Sequence, residues 1–541
     1  MILSSFMDFL SIALLVPIIT LVQKQNIDES PFTKIFEILN FQTDIQSIII
    51  LLVCLIITKG FLTILIVYLQ ANYISLLQNY FRENIFLNYL YNKSEDLFQD
   101  HSSTIYRNIV TEVSEFGGNY IGPILNLTTN LILFLFMTTL MFIVDANSAM
   151  FIFITLLSSF IIIKFSLGKI LKKLALVRFE KDTEFYNVIS NSISFIKDIK
   201  FFNLQKFYKK RFLKVLYRTL QISRTRAVLG QLPRVSFEVI FVLIFSFILL
   251  FNQENDGILI TLAVYAAAAL RVMPAINQIS TSYQKMKFSK TSFKTINQNL
   301  EKKNYDFISS SKLNYKNELI IKNLSFKYQI NKHYTLNDLN LSLSGSDKIS
   351  IIGESGAGKS TLLNLILGFL EPQNKDMIKS NENSIYNDVS SWKKNISYVP
   401  QKVVILDQSL KNNIILSNPD IGFDKKLYSD SIKKAGLSTL FEKLEYQDET
   451  LLGDNGDKIS MGEKQRIGIA RAIYRNSQIV IMDEISNFLD EKNKQEIMNN
   501  IYDHFKDKII ITVTHDQNIL KYSNKIYELK DGRLNLIKRE N

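Results

Sequence analysis

Long apolar runs crowd residues 1 to about 275 and give way, after about 318, to short β-branched stretches alternating with amphipathic ones. A membrane-crossing helix needs about 20 mostly apolar residues at 1.5 Å rise each. Six stretches meet or approach that length: 1–22, 46–70, 122–145, 148–168, 236–251 extended backwards, and 258–275. The last two are short, so polar flanks must complete their helices. So many apolar runs exceed what one soluble core could cover. The first stretch lacks a basic leader and a small-residue cleavage site, which argues against a secretory signal. It begins almost at the first residue, and the favoured expectation is that the true start lies upstream.

Between and beyond these stretches the pattern remains helical. Residues 71–92 and 164–226 repeat apolar positions among charges, for example Ile196, Ile199, Phe202 and Phe207. Helices running on from the membrane and turning back would carry their tips toward a separate domain. Residues 26–40 have a capping Ser30, then Pro31, then Phe32, Ile35, Phe36 and Leu39 on one face. They predict a short external helix. The expected division is a transmembrane domain over 1–300, a linker over 301–318 and an α/β domain over 319–541.

Charge orients the helical part. From Lys164 to Arg234 there are 17 Lys or Arg against 4 Asp or Glu, a net of +13. The short candidates for outer loops, Asp145–Ser148 and Asn252–Gly257, carry only acidic charge. The positive-inside tendency places 169–234 in the cytoplasm, with both termini; the mildly acidic stretch 71–121 does not add to that signal. The chain's net charge of +12 is concentrated beside membrane segments, which disfavours nucleic acid as partner and favours contact with anionic membrane lipids. The single cysteine, Cys54, excludes a disulfide framework.

The second half carries explicit chemistry. GESGAGKST at 353–361 fits G-x-x-x-x-G-K-[ST] between an apolar strand and a helix. Gly353, Gly356 and Gly358 let the backbone, Ser355 included, curl its N–H groups toward phosphate. Lys359 reaches the β- and γ-phosphates, Ser360 offers a hydroxyl to Mg²⁺, and Thr361 completes the motif. The pattern calls for ATP and Mg²⁺. IVIMDE at 479–484 reads as a buried strand with a charged tip. Asp483 suits a magnesium-bound water, and Glu484 is placed to orient or deprotonate the attacking water. His515, after IIITVT, can position that water at the γ-phosphate.

Taken together, these motifs resemble the ABC exporters, and the likeness covers essentially the whole chain. It is carried by FKY at 326–328, the phosphate loop, YVPQ at 398–401, LLGDNG at 451–456, ISMGEKQR at 459–466, MDE at 482–484, NFLD at 487–490 and THD at 514–516. The resemblance implies a six-helix membrane domain fused to a P-loop NTPase that works in pairs, as a homodimer or with a related half-transporter, in the bacterial cytoplasmic membrane. It implies that Tyr328 stacks on adenine, that Gln401 touches Mg²⁺, and that Asp490 lies in a loop crossing the dimer interface. It also implies that Ser460 and Gly462 close over ATP held by the partner. Met461 replaces a glycine of that motif and Glu463 a glutamine, the latter a change the family tolerates; an active ATPase is expected, slowed by Met461.

For cargo, three cations fall in or near spans: Lys59, Arg234 and Arg271. A charge there generally faces protein or a watery cavity. FVLIFSFILLF, ALRVMPAINQISTSY and GESGAGKSTLLNLILGFL resemble the lipid-linked oligosaccharide flippases of bacterial protein N-glycosylation. That likeness aligns Arg234 and Arg271 with cavity arginines and puts Lys59 where a third is expected. The resulting expectation is flipping of an anionic lipid-linked saccharide. The competing expectation is a half-exporter of peptides, proteins or hydrophobic drugs.

Overall fold

The computed structural model describes residues 2–15, 17–18, 45–91, 102–144, 146–251, 258–301, 315, 317–328, 333–416 and 422–539. The expected external helix at 26–40 and most of the expected linker lie outside them. The chain divides into two compact units that part near residue 305.

The described elements of the first unit are all helices. Its main elements are α1 (Ile2–Ala13), α2 (Ile45–Tyr91), α3 (Ser103–Val144), α4 (Ala146–Ser194), α5 (Gln205–Phe251), α6 (Ile258–Phe288) and α7 (Lys290–Glu301). Four of the described helices, α2 to α5, are long and apolar enough to cross a membrane. The 47 residues of α2 extend roughly 70 Å at 1.5 Å each. That is more than twice the ~30 Å of a hydrocarbon core. The apolar part therefore accounts for only part of each long helix, and the polar remainder continues without a break. Ile50, Ile57, Phe61 and Ile64 are exposed along the apolar part of α2, as is Cys54. Such a surface suits a lipid environment, where apolar exposure carries no penalty.

Where α2, α3, α4 and α7 meet, the packing turns polar. Glu112 is fully buried and accepts from Arg178 Nη2 at 3.2 Å, while Arg178 Nη1 reaches Glu115 at 3.2 Å. Glu112 sits in a π-helical turn, Arg107–Glu112, and a second π turn follows at Gly117–Ile121. A π turn rotates the residues after it, and such turns interrupt α-helices mostly at sites of special geometry. At Gly117 the Gln78 side chain packs so close that an added Cβ would have to displace it.

The second unit is α/β. A six-stranded sheet runs in the order β10-β9-β3-β8-β7-β6, parallel from β9 to β6. Its central strands β3 (Lys348–Ile352), β7 (Ile479–Asp483) and β8 (Ile509–Val513) are nearly unbroken apolar runs, buried on both faces. β6 (Ile396–Val399), β9 (Lys525–Lys530) and β10 (Arg533–Arg539) complete it. A smaller antiparallel sheet joins β1 (Glu318–Phe326), β2 (Leu336–Ser344), β4 (Ile378–Ser380) and β5 (Asn383–Ser384). The helices that matter for the site are α8 (Lys359–Ile366), α9 (Met461–Arg475) and α10 (Glu491–His504).

Candidate nucleotide-binding site

The parallel order of the large sheet brings the C-terminal ends of β3, β7 and β8 side by side. The phosphate loop, Asp483 with Glu484, and His515 hang from those ends, and Gln401 follows the neighbouring β6. After β3 the chain passes through Gly353 and Gly356 with positive φ and enters α8 at Gly358, whose φ is 105°. Gly358 is required on two counts: its φ is left-handed, and a Cβ would meet Leu336 Cδ2 at 2.9 Å and Thr335 O at 3.1 Å. Gly353 is as constrained, since a Cβ there would lie 2.3 Å from Leu529 O.

Lys359 begins α8 and curls back into its own loop. Its Nζ donates to Gly353 O at 2.5 Å, to Glu354 O at 2.9 Å and to His515 Nε2 at 3.3 Å. Because an ammonium has only donors, Nε2 must accept, which puts the ring proton on Nδ1. His515 Nε2 also lies 3.6 Å from Glu484 Oε1, and Glu484 Oε2 accepts from Gln401 Nε2 at 2.7 Å. Lys359, His515, Glu484 and Gln401 therefore converge from positions far apart in sequence as two hydrogen-bonded pairs, Lys359 with His515 and Gln401 with Glu484, lying side by side. Glu484 adopts a left-handed φ of 49°, with its N–H bonded to Val513 O at 2.9 Å. That turn ends β7 abruptly and swings the Glu484 carboxylate away from the line of the strand.

Asp483, one residue earlier, has its carboxyl pushed above the usual range by burial and by the Glu484 charge, with Lys359 pulling the other way. Burial, helped by Asp483, pushes the neighbouring Tyr398 phenol up to about 12. Among the described residues no group of three or more His, Cys, Asp or Glu side chains could hold a metal alone. That fits Mg²⁺, which takes one or two protein oxygens and completes its shell with water and phosphate. The Ser360 hydroxyl and the Asp483 carboxylate supply oxygens of the right kind.

Tyr328, expected against adenine, has its edge to Phe326 with ring centroids 5.2 Å apart, and shares a hydrogen bond with Thr361 Oγ1 at 3.1 Å. The Ser460 motif opens α9. Ser460 is its N-cap, and Glu463 Oε2 accepts from both the Ser460 N–H and its hydroxyl at 2.8 Å. This is a reciprocal capping box, one turn long, and it engages the Ser460 donors within the chain. Met461 is 44% exposed, so nothing within this chain crowds it. Asp490 accepts from Arg466 Nη2 at 3.1 Å. Sequence reasoning missed Arg471, whose guanidinium donates to Asn413 O at 2.6 Å and Val404 O at 2.9 Å. Burial lowers its pKa to about 10.

The three cations assigned to a cargo cavity are distributed differently. Lys59 and Arg271 come together, both on Asp8 of α1; Arg271 Nε lies 3.4 Å from its carboxylate and Lys59 is closer still. Asp8 is only 4% exposed. Arg234 is apart from them, exposed, and paired with Glu238 one turn on at 2.8 Å. Each cation lies against a carboxylate, with Lys59 and Arg271 sharing Asp8, so three positive charges are offset by two negative ones and the electrostatic case for an anionic cargo is weakened.

Residues 336–487 match the family described as ABC transporter. The chain is 31% identical over 219 residues to the toxin RTX-I translocation ATP-binding protein of Actinobacillus pleuropneumoniae, covering 40% of this chain and 31% of that protein. It is 31% identical over 217 residues to the alpha-hemolysin translocation ATP-binding protein HlyB of Escherichia coli, covering 40% and 30% respectively. The leukotoxin translocation ATP-binding protein LktB of Mannheimia haemolytica matches at 31% over 219 residues, 40% of this chain and 31% of that one. The matched stretch thus spans less than a third of these relatives. A solved structure of a bacterial Atm1-family ABC exporter with ATP bound superposes with a TM-score of 0.82 at 17% identity, over 98% of this chain and 93% of that one. The fold is that of an ABC exporter, a multi-helix transmembrane domain followed by an ATP-binding P-loop domain. The expectation of lipid-linked saccharide flipping is corrected by these relatives, which are named for toxin translocation, and by the pairing of all three cations with carboxylates.

Proposed function

We propose that this chain is one half of an ATP-driven exporter of polypeptides, working as a pair in a bacterial cytoplasmic membrane with its ATPase unit in the cytoplasm. The observation that carries the reading is the convergence of Lys359, His515, Glu484 and Gln401 at the phosphate loop. It occurs in a protein whose other unit, among the described residues, contains four helices long and apolar enough to span a bilayer. The polypeptide cargo is supported by the relatives named above, whose names record translocation of protein toxins.

In this reading, Lys359 exchanges its loop carbonyls for β- and γ-phosphate oxygens, and the loop N–H groups with the α8 N-terminus receive the rest of the charge. Ser360 and Asp483 would hold Mg²⁺, which would supply neutralisation of the charge that develops on the phosphates. Glu484 accepts a proton from, or orients, the attacking water, while Gln401 donates to one of its oxygens and His515 lies beside the other. Ser460 and Gly462 of one protomer close on ATP held by its partner, and Asp490 lines the crossing loop. To reach that phosphate, Ser460 must release its hydroxyl from Glu463.

The test is reconstitution in proteoliposomes with ATP supplied to the ATPase side. A dye-labelled unfolded polypeptide should become protease-protected only with ATP, and not with Glu484→Gln; a labelled phospholipid should show no ATP-dependent movement. Equal protection with and without ATP would contradict export.

A further inference from the structure

His515 stands just past the end of β8, and the next residue, Asp516, opens the short helix Gln517–Leu520. Asp516 Oδ1 accepts from the Asn518 N–H at 2.9 Å, and the Asp516 N–H donates to Thr514 Oγ1 at 3.0 Å. Those two bonds set the local turn. Two further donors come from distant segments: Asp516 Oδ2 pairs with the Lys494 ammonium, and the Ser486 hydroxyl also donates to the carboxylate. A carboxylate accepts several bonds at once, and this one gathers donors from three segments.

The segments so joined are the ones that carry the chemistry. Ser486 lies in the turn Ile485–Phe488, two residues after Glu484, and is buried. Lys494 is on α10, one turn beyond Asp490, with its N–H bonded to Asp490 O at 3.0 Å. The Asp490 carboxylate is in turn held by Arg466 of α9 and by Asn493 Nδ2 at 2.6 Å. The residue beside His515 is therefore tied both to the turn that follows Glu484 and to the helix that starts at Asp490.

His515 needs such support. Its side chain is 54% exposed, and in the site it meets Lys359 at 3.3 Å and Glu484 at 3.6 Å. Lys359 turns to phosphate oxygens once ATP binds, so that bond cannot fix the ring during hydrolysis. The bonds to Asp516 can, because none of their donors is a phosphate-binding group. Lys494 is 8% exposed, where an unpaired ammonium would be costly. Burial alone would raise the Asp516 carboxyl, yet Lys494, the Asn518 N–H and the Ser486 hydroxyl outweigh it and hold it below the usual range. Asp516 is therefore ionised at neutral pH, a fixed anchor rather than a titrating switch.

We propose that Asp516, locked by Lys494, is a positioning residue that keeps His515 and the turn after Glu484 in register for hydrolysis. The ion pair then governs turnover through His515, while nucleotide binding is left to the phosphate loop. This role rests on the reading in which ATP hydrolysis runs through His515 and Glu484, and it holds for any cargo. It also gives the buried Lys494 a purpose: a shift of α10 would be felt at Asp516, one peptide bond from the histidine.

The test measures steady-state ATPase kinetics of the full chain in nanodiscs, with ATP-analogue binding to identify variants that remain folded. Lys494→Met keeps the bulk and removes the charge. It should lower kcat by about 10- to 100-fold, the scale of a misplacement of up to an ångström. KM and analogue affinity should stay within about twofold. Exchanging the charges, Lys494→Glu with Asp516→Arg, keeps the combined reach of the pair and should recover most of the loss, whereas each change alone stays slow. On a His515→Ala background, Lys494→Met should cost nothing further, because the two act as one unit. A normal kcat in folded Lys494→Met, even with a lowered melting temperature, overturns the proposal and leaves the pair a structural clamp. An undiminished Lys494→Met loss in the absence of His515 overturns it as well. Where the charge variants fail to bind the analogue, Ser486→Ala, which keeps the ion pair, takes their place: about a threefold fall in kcat is expected, and an unchanged rate overturns the role. If His515→Ala itself hydrolyses ATP normally, the reading of His515 fails and this role with it. If His515→Ala is slow while Lys494→Met is normal, only the positioning role falls.

Discussion

The two units handle charge in opposite ways. In the ATPase unit, Lys359, Asp483, Glu484 and His515 are gathered at strand ends where a ligand can replace their present partners. In the helical unit, ionic groups are tied to one another: Lys59 and Arg271 on Asp8, Arg234 on Glu238, Arg178 on Glu112 and Glu115. The first arrangement is poised for exchange, while the second spends its charges on holding helices together. A charged residue in a span is therefore evidence of a partner before it is evidence of a ligand.

The sharpest contrast comes from deleting one charge in each unit. Glu484→Gln should leave ATP binding intact and lower turnover by about 10²- to 10⁴-fold, the range for a positioned acid–base group; a malachite-green assay reads it, and normal turnover would remove Glu484 from the site. Asp8→Asn should act on stability instead. It strands two cations, costing about 3 kcal/mol if the pairs behave as buried ones do. Thermal unfolding in nanodiscs should show Asp8→Asn partly rescued by Lys59→Met, and no rescue would mean that the pair is incidental. A smaller effect is expected at the partner-facing motif. Met461→Gly should raise turnover about fivefold if the side chain hinders closure, equivalent to roughly 1 kcal/mol off the barrier; an unchanged rate would show no crowding in the pair.

The smallest effect is expected at His504, which is half-buried behind the α10 C-terminus. Burial and the adjacent Lys434 hold its pKa below the usual value. Below about pH 6.5 the unfolded chain takes up that proton more readily than the folded one. Stability is therefore expected to fall as pH drops through that region and on toward the folded-state value. His504→Gln should flatten this acid limb in melting curves from pH 5 to 8, and an unaltered slope would assign the loss elsewhere.

Most of the ATPase chemistry was legible because local backbone demands fix it. A glycine-rich loop between an apolar strand and a helix has few other uses, and buried parallel strands announce themselves as IVIMD and IIITV. The length of α2, α4 and α5 was also readable, since apolar periodicity continues through the charged stretches 71–92 and 164–226. What escaped notice depended on pairing across long sequence separations. Asp8 lies 51 residues from Lys59 and 263 from Arg271, and only the fold joins them. An acid inside an apolar run was still a signal of the same kind as the cations. Glu238, one turn after Arg234, was a direct local hint. The Glu112–Arg178 pair and the π turns had no comparable marker. The Arg471 bonds to loop carbonyls at 404 and 413 likewise arise only once α9 is packed.

The central claim is that ATP is clasped between the phosphate loop of one protomer and Ser460 of its partner. It is tested most directly by mixing two inactive variants, Lys359→Ala and Ser460→Arg, in the same nanodiscs. A mixed pair would carry one doubly damaged site and one intact site, so ATPase activity is expected to reappear on mixing. Activity that stays at the level of the separate variants, with mixed pairs shown to form, would contradict a shared site.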